Sequence, residues 1–247
     1  MNTQILWLLI KRINRKLNIS LLLSLLAFGS PAIAKYIPPQ TQKPASDYTK
    51  SAGARGCPEE QISLTILSPT TYVGHTASGH PTFVWFLYSP HNTEFRLFEF
   101  EPNGEPKQLG APISLQAFSG INKYSLPENQ PGLAMQKKYL WQVSISCPPN
   151  GTLVRRAEFM VVEMSSDIKT NLSKITNSSQ KADIYAKQGL WYEALQEALN
   201  LAPKGELGQV GSTLVESLTQ SEEQGQFKEP ELQQRIKNLK AIANRAK

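Results

Sequence analysis

Nine residues from Tyr139 to Cys147 alternate between large apolar and small polar side chains. The apolar positions are Tyr139, Trp141, Val143, Ile145 and Cys147, and the intervening positions include Gln142, Ser144 and Ser146. A period of two over this length is typical of a strand with one side on a core and the other toward water. The stretch therefore predicts a sheet whose core is built around these five side chains.

Short apolar runs separated by turn residues surround that strand between residues 55 and 164. The strongest run, Thr82 to Tyr88, lies between Pro81 and Pro90 and fits a central strand covered on both faces. A shift of the apolar positions at Leu97-Phe98 predicts a bulge. Seven or eight short strands in about 110 residues are typical of an immunoglobulin-like or fibronectin-like β-sandwich. We predict that fold for residues 55–164.

The hydrophobic period changes from two to about 3.6 after Glu163. We predict a helix from near Lys181 that Gly189 interrupts, then an amphipathic helix to Ala202, one around Leu214 and one from Pro230. Residues 165–247 are thus a helical C-terminal region, and the fold class is mainly β with an α extension. The last helix is basic. This is typical of a solvated face; weak binding to a membrane surface is the alternative.

The first 34 residues have the order of a secretory signal peptide. Four basic residues between Lys11 and Lys16 precede an apolar run, and Ala32-Ile33-Ala34 is a small-x-small cleavage site. We predict cleavage between Ala34 and Lys35, with a retained membrane anchor as the alternative. Residues 35–54 lack apolar periodicity and predict a flexible linker. The chain is therefore expected in the periplasm or outside the cell.

The two cysteines, Cys57 and Cys147, are interpreted as one disulfide because the chain is predicted to be exported. The bridge would close a loop of about 90 residues and stabilise the fold by roughly 4.6 kcal/mol in the chain-entropy description. Two buried free thiols are one alternative. A metal pair is another, although it would lack two of the four usual ligands.

The charge of the chain argues against nucleic acid as a partner. Lysine and arginine number 26 against 20 acidic residues, and the four basic residues of the predicted signal peptide reduce the 26 to 22. A near balance of this kind gives no basic patch for a phosphate backbone.

No arrangement of residues in the chain is typical of a catalytic or metal site. His75 and His80 lie at one end of a predicted strand and His91 at the other, roughly 20 Å away, so one metal cannot bind all three. We interpret them as surface loop histidines, and we predict no metal and no cofactor. Glu99 and Glu101 share a strand face and would suit an acid–base pair, but exposed charges are the simpler interpretation.

The function that fits these features best is a non-enzymatic binding module of the cell envelope, with a protein or a glycan as its ligand. Most of its aromatic side chains are expected in the core; Trp85, Trp141 and Trp191 are the candidate ligand platform. An envelope-polymer hydrolase that uses surface carboxylates is the first alternative, and a structural envelope component is the second.

Two stretches carry resemblances to known families. The stretch from Ala182 to Pro203, with small residues and Gly189 at its turn, looks like one tetratricopeptide-type unit. Such units normally bury their faces in arrays of three or more. A single copy implies packing on the sandwich.

The second resemblance covers about Ala54 to Pro203. Its motifs are Arg55-Gly56-Cys57-Pro58, Pro81-Thr82-Phe83-Val84-Trp85-Phe86, Leu126-Pro127 before Tyr139-Leu140-Trp141 and Cys147, and Gly189-Leu190-Trp191-Tyr192-Glu193-Ala194-Leu195. With them the chain resembles the cyanobacterial exported family known as domain of unknown function 928. Glu193 departs from the aspartate of that pattern, and Arg155-Arg156 from its Arg-Ser pair. The resemblance implies an exported bacterial protein and no particular activity.

Overall fold

Strands occupy the first part of the folded chain and helices the second. The computed structural model describes residues 34–49, 64–147, 149, 151–224 and 229–245, which belong to one unit that spans Ile33–Lys247. The strands in these residues are β1 (Leu64–Ile66), β2 (Gly74–Thr76), β3 (Thr82–Leu87), β4 (His91–Phe100), β5 (Pro106–Ala117), β6 (Gly120–Ser125), β7 (Lys138–Cys147) and β8 (Gly151–Val161). The helices are α1 (Ser166–Ser173), α2 (Ser178–Lys187), α3 (Trp191–Leu199), α4 (Gly208–Glu223) and α5 (Pro230–Asn244). The predicted order of β before α is confirmed.

The strands form two sheets. One has the order β1-β3-β6 and the other the order β2-β8-β7-β4-β5. Every pair is antiparallel except β2 with β8. The middle strand of the larger sheet is β7, and its five apolar side chains from Tyr139 to Cys147 are at most 2% exposed. The strand from which the sequence analysis began is therefore the centre of the larger sheet.

An aromatic core lies between the two sheets. The ring of Phe83, on β3, has its centroid 5.1 Å from the centroids of both Phe95 and Trp141, which lie on β4 and β7. All six residues of β3 are buried, as the uninterrupted apolar run predicts. A strand without a polar face needs cover on its second side as well. Helix α3 supplies part of this cover because it contacts β3, and α5 contacts the neighbouring strand β1.

The hairpin of α2 and α3 turns at Gly189 and brings Tyr192 into the core. Gly189 has a φ of 72°, in the left-handed region that glycine tolerates best. The hydroxyl of Tyr192 accepts a hydrogen bond from Trp141 Nε1 at 3.1 Å and shares a second, at 2.9 Å, with Ser68 Oγ. The helical region and the sheets therefore share one hydrophobic core.

The irregularity of the larger sheet lies in β5. Phe95 pairs with Ile113 and Leu97 with Leu109, so a step of two residues in β4 faces a step of four in β5. The two extra residues fall in the segment 110–112, where Gly110 has a φ of 68°. Because β4 keeps a regular register with β7, the predicted bulge at Leu97-Phe98 is wrong. Phe98 is an apolar residue on the outer face of the sheet.

Residues 34–49 lie against the fold, although the sequence predicts a flexible linker over 35–54. Tyr36 is 2% exposed, its ring contacts that of Trp191, and Ile37 N donates to Ala186 O at 3.0 Å. Pro44 forms a β-bridge with Tyr72, and a 3-10 turn spans Asp47–Thr49. The polar composition of this stretch hides one buried aromatic side chain and several backbone pairs. Residues 50–54, and all of the predicted signal peptide except Ala34, lie outside the described residues.

Candidate ligand-binding face

The outer face of the five-stranded sheet is polar toward one end and apolar toward the other. Cross-strand pairs of β4, β7 and β8 define rows of side chains that point away from the core. In order, the rows are Glu94–Ser144–Val154, Arg96–Gln142–Arg156 and Phe98–Leu140–Glu158. The change from polar to apolar falls between the second row and the third. The two ends of the face therefore have different environments.

The apolar end is covered by the N-terminal segment, and we call it the covered half (Phe98, Phe100, Leu140 and Glu158). Ser46 donates to Glu158 Oε1 through its amide at 3.1 Å and through its hydroxyl. The ring of Tyr48 lies edge-on to that of Phe100, with centroids 5.9 Å apart. As a result Leu140 is 1% exposed and Glu158 is fully buried, although both point away from the core.

The polar end forms a concavity of about 610 Å³, which we call the open half. Its outward-pointing lining comes from four adjacent strands: Asn92, Glu94 and Arg96 of β4, Ser114 and Gln116 of β5, Gln142, Ser144 and Ser146 of β7, and Thr152 and Val154 of β8. Hydroxyl and amide groups dominate this list, and it contains no aromatic ring. The surface can therefore donate and accept many hydrogen bonds, but it offers no stacking platform.

Contacts between neighbouring side chains fix the polar groups at the border of the open half. Arg96 Nε donates to Glu94 Oε1 at 2.7 Å and its NH1 to Gln108 Oε1 at 3.1 Å. Arg156 Nε donates to Gln142 Oε1 at 2.8 Å. Burial lowers the pKa of the Arg156 guanidinium, which nonetheless stays charged. Side chains held in this way lose little rotamer entropy when a ligand binds.

Three glutamates with buried carboxylates, which the sequence did not reveal as such, each hold a distant segment by the same arrangement. Glu158 holds Ser46, as described above. Glu193 Oε1 accepts from Thr76 Oγ1 at 2.6 Å and from the amides of Ala77 and Ser78 at 2.7 and 2.9 Å. Glu222 Oε1 accepts from the amide and hydroxyl of Thr70 at 2.6 and 2.9 Å. No local sequence signal marks these residues, because their partners are more than 100 residues away.

The three carboxylates differ in how their charge is balanced. Lys138 Nζ lies 3.2 Å from Glu158 Oε2, and Arg235 Nε lies 2.9 Å from Glu222 Oε2. Glu193 Oε2 is buried and has no hydrogen-bond partner among the described residues. Burial accordingly raises the pKa of Glu193, and its hydrogen bonds to Thr76, Ala77 and Ser78 offset part of this effect. We interpret all three as structural carboxylates, because Oε1 of each one accepts hydrogen bonds from a distant segment of the chain.

The three tryptophans proposed as a ligand platform are buried. Trp85 is 1% exposed, and Trp141 and Trp191 are 0% exposed. The indole N–H of Trp141 donates to Tyr192, and that of Trp191 donates to Leu67 O at 2.8 Å. These three side chains do not form an exposed platform, because the two sheets and α3 enclose them. Of the three indole N–H groups, only that of Trp85 is buried without a hydrogen-bond partner among the described residues.

The three histidines have different surroundings. His75 is half-buried in β2, and burial lowers its pKa, with a smaller contribution from the nearby positive charge of Lys43. His80 Nε2 is 2.9 Å from Gln130 O, and His91 Nε2 is 3.1 Å from Ser89 Oγ. The described residues contain no group of three or more metal-ligating side chains.

The two carboxylates considered for acid–base chemistry each pair with a different lysine. Glu99 Oε1 lies 2.6 Å from Lys137 Nζ, and Glu101 Oε1 lies 3.3 Å from Lys107 Nζ. Separate ion pairs at the surface are the arrangement expected for solvated charges. Neither carboxylate lines the open half.

The predicted disulfide pair is Cys57 and Cys147, and the predicted cleavage pair is Ala34 and Lys35. One residue of each pair, Cys147 and Ala34, is buried in the described structure. Cys147 is 2% exposed at the end of β7, whereas Cys57 lies outside the described residues, so their disulfide stays a prediction. Ala34 is 0% exposed and Lys35 is exposed. Cleavage between them also stays a prediction.

Within the described ranges, every helix is too short or too polar to span a bilayer. Residues 50–231 match the sequence model of a family described as Domain of Unknown Function (DUF928). A search of curated proteins finds no match. The matched range contains both sheets and helices α1 to α4 in full.

Proposed function

We propose that this chain, which belongs to the DUF928 family, is an exported, non-enzymatic binding module of the cell envelope that holds a glycan in its open half. The observation that carries the proposal is the concavity of about 610 Å³, whose outward-pointing side chains come from four adjacent strands and are nearly all polar. A rigid sheet holds such groups in better-defined positions than a loop does. The volume lies in the range of small-ligand sites.

The chemistry of the open half favours a glycan over a protein. Sugar hydroxyls donate and accept at once, and so do the amides and hydroxyls of Asn92, Gln116 and Ser146. Protein interfaces are enriched in aromatic residues at their centres, and this lining contains none. Because no ring is present for stacking, the sugar would bind by its hydroxyl edge. The ion pair of Glu94 with Arg96 adds one side chain rich in acceptors and one rich in donors to the lining of the open half.

The strand order supports the finer assignment to an immunoglobulin-like sandwich. In that fold one sheet contains strands A, B and E, and the other contains G, F and C, with C′ added in variable-type domains. The order β1-β3-β6 corresponds to A-B-E, and β8-β7-β4-β5 corresponds to G-F-C-C′. On this assignment the open half lies on the outer face of the G-F-C-C′ sheet.

Export rests on the signal peptide and the predicted disulfide. We expect the secreted chain, analysed by mass spectrometry without reduction after proteolysis, to yield one cross-linked peptide pair with Cys57 and Cys147. The same spectrum reports whether the chain starts at Lys35. Two free thiols would remove the main support for an oxidising compartment.

A glycan array of bacterial envelope and extracellular polysaccharide fragments tests the binding proposal. The strongest hit is then titrated by calorimetry against the full mature chain. We expect Asn92→Ala to weaken binding about tenfold, which corresponds to about 1.4 kcal/mol, or one lost hydrogen bond. Asn92 is exposed and has no side-chain partner among the described residues, so the fold should tolerate the change.

The matched control is Gln233→Ala, on the exposed side of α5, which should leave the titration unchanged. An array without signal, or equal binding by both variants, would contradict the proposal. Release of new reducing ends from the same glycans would favour the hydrolase alternative, and its loss in Glu99→Gln would identify the carboxylate. Retention in the detergent-insoluble envelope fraction, without glycan binding, would favour a structural component.

A further inference from the structure

A second cavity, of about 370 Å³, lies between the β5–β6 corner and the segment that follows α3. Its lining includes Phe118 and Lys123 of the corner, Leu199 at the end of α3, Lys204 of the following segment, and Trp85 of β3. It shares Leu115 and Gln116 with the open half, and the other lining residues of the two cavities differ.

Two glycines hold the walls of this cavity together. Ile121 N donates to Gly205 O at 2.8 Å, and Gly120 and Gly205 have φ values of 106° and 86°. A Cβ on Gly120 would collide with the carbonyl of Gly205, so the two segments approach this closely only because the side chain is absent. Asn122 Oδ1 accepts from Phe118 N at 3.0 Å, and its Nδ2 donates to Phe118 O at 2.8 Å. The cavity is therefore built by specific contacts.

The lining combines an apolar wall with unpaired positive charge. Phe118 is 36% exposed and Leu199 is 9% exposed, so an apolar ligand body would gain contact with both. Lys123 and Lys204 have no carboxylate partner within the described residues, and Lys204 Nζ lies 5.3 Å from the centre of the Phe118 ring. The one acidic side chain of the lining is Glu206. The positive charges outnumber it by two to one.

The buried, unpaired indole N–H of Trp85 points to a ligand in this cavity. Trp85 is 1% exposed, lines the cavity, and its Nε1 lacks a partner within the described ranges. Buried donors in native proteins are almost always paired, and an unpaired one calls for a missing acceptor. The other two described indoles, those of Trp141 and Trp191, are both paired. An acceptor group on a bound molecule would complete the pattern.

We infer that this cavity binds a small organic anion with an apolar body. The apolar body contacts Phe118 and Leu199, and the anionic group faces the ammonium groups of Lys123 and Lys204. An oxygen of the ligand accepts from Trp85 Nε1. The inference is independent of the glycan proposal, because Asn92 and the lysines belong to different cavities.

Two-dimensional ¹⁵N–¹H spectroscopy of the full mature chain tests the inference, with phenylacetate as the probe. Each indole resonance is assigned by through-bond correlation to the backbone amide of the same tryptophan. We expect phenylacetate to shift the Trp85 indole resonance saturably and downfield, while the indoles of Trp141 and Trp191 stay in place. Phenylacetamide, which has the same body without the charge, should bind at least fivefold more weakly.

Lys204→Gln should weaken phenylacetate binding at least fivefold, and Lys169→Gln, an exposed lysine on α1, should leave it unchanged. Phe118→Ser, also at an exposed position, provides a second variant that removes the apolar wall. No saturable shift of the Trp85 indole, equal affinity for the two probes, or equal affinity of the two lysine variants would each overturn the inference. The Asn92→Ala variant should bind phenylacetate as the native chain does.

Discussion

The covered and open halves of the five-stranded sheet lie on one face, on the same strands, and differ only in what points outward. In the covered half Phe98 and Leu140 face outward, and residues of the segment 44–49 shield that half from water. In the open half the outward positions are Glu94, Ser144 and their polar neighbours, and they form a concavity. Strand alternation is the same in both. The chemistry of the outward positions therefore decides whether a sheet face is packed or remains available to a ligand.

The largest expected effect is the loss of the buried carboxylate of the covered half. Glu158→Ala removes the acceptor of two bonds from Ser46 and leaves Lys138 without its partner. We expect the free energy of unfolding, measured by urea denaturation, to fall by about 3 kcal/mol. Glu94→Ala in the open half, where the pair with Arg96 is more than one-third exposed, should cost less than about 1 kcal/mol. Equal losses would mean that the two halves do not differ as described.

A smaller effect is expected when only the aromatic cover is removed. Tyr48→Ala deletes the edge-on contact with Phe100, which should reduce the free energy of unfolding by about 1 kcal/mol. It should also expose the bond that follows residue 48 to limited proteolysis. Thr152→Ala in the open half is the control, and neither its stability nor its cleavage pattern should change. A Tyr48→Ala chain as resistant as the native one would show that the segment stays in place without the Tyr48 ring.

The smallest expected effect is a change in the pH dependence of stability, and it concerns Glu193, the buried carboxylate whose Oε2 has no partner among the described residues. Burial raises the pKa of Glu193 above its ordinary 4.5. The stability that its protonated form contributes is complete below that value and is lost as the pH rises through the raised pKa. Glu193→Gln should therefore gain stability relative to the native chain as the pH rises from below 4.5 through the raised pKa.

Urea denaturation at several pH values measures this difference. Glu128→Gln, at an exposed glutamate, is the control, and its difference from the native chain should stay constant over the same range. A flat difference for Glu193→Gln would mean that the three hydrogen bonds at Oε1 fully offset the cost of burial.

Two kinds of residue show how far sequence reasoning reaches in this protein. The outward positions Gln142, Ser144 and Ser146 are visible in the sequence as the polar side of the alternation in β7, and they line the candidate site. The buried carboxylates of Glu158, Glu193 and Glu222 cannot be recognised in the sequence, because an isolated glutamate is far more often a solvated charge. Tyr36 was hidden in the same way by the polar composition around it.

The elements whose signals are local could be predicted from the sequence. These are the alternation of β7, the apolar run of β3, the break at Gly189 and the start of α5 at Pro230, because each depends on the backbone preferences of neighbouring residues. The tertiary structure alone decided which half of the sheet is covered and which carboxylates are buried. Glu158, Glu193 and Glu222 find their partners 112, 117 and 152 residues away. Contacts at that separation leave no periodic trace in the chain, since they form only when the sheets and helices have come together.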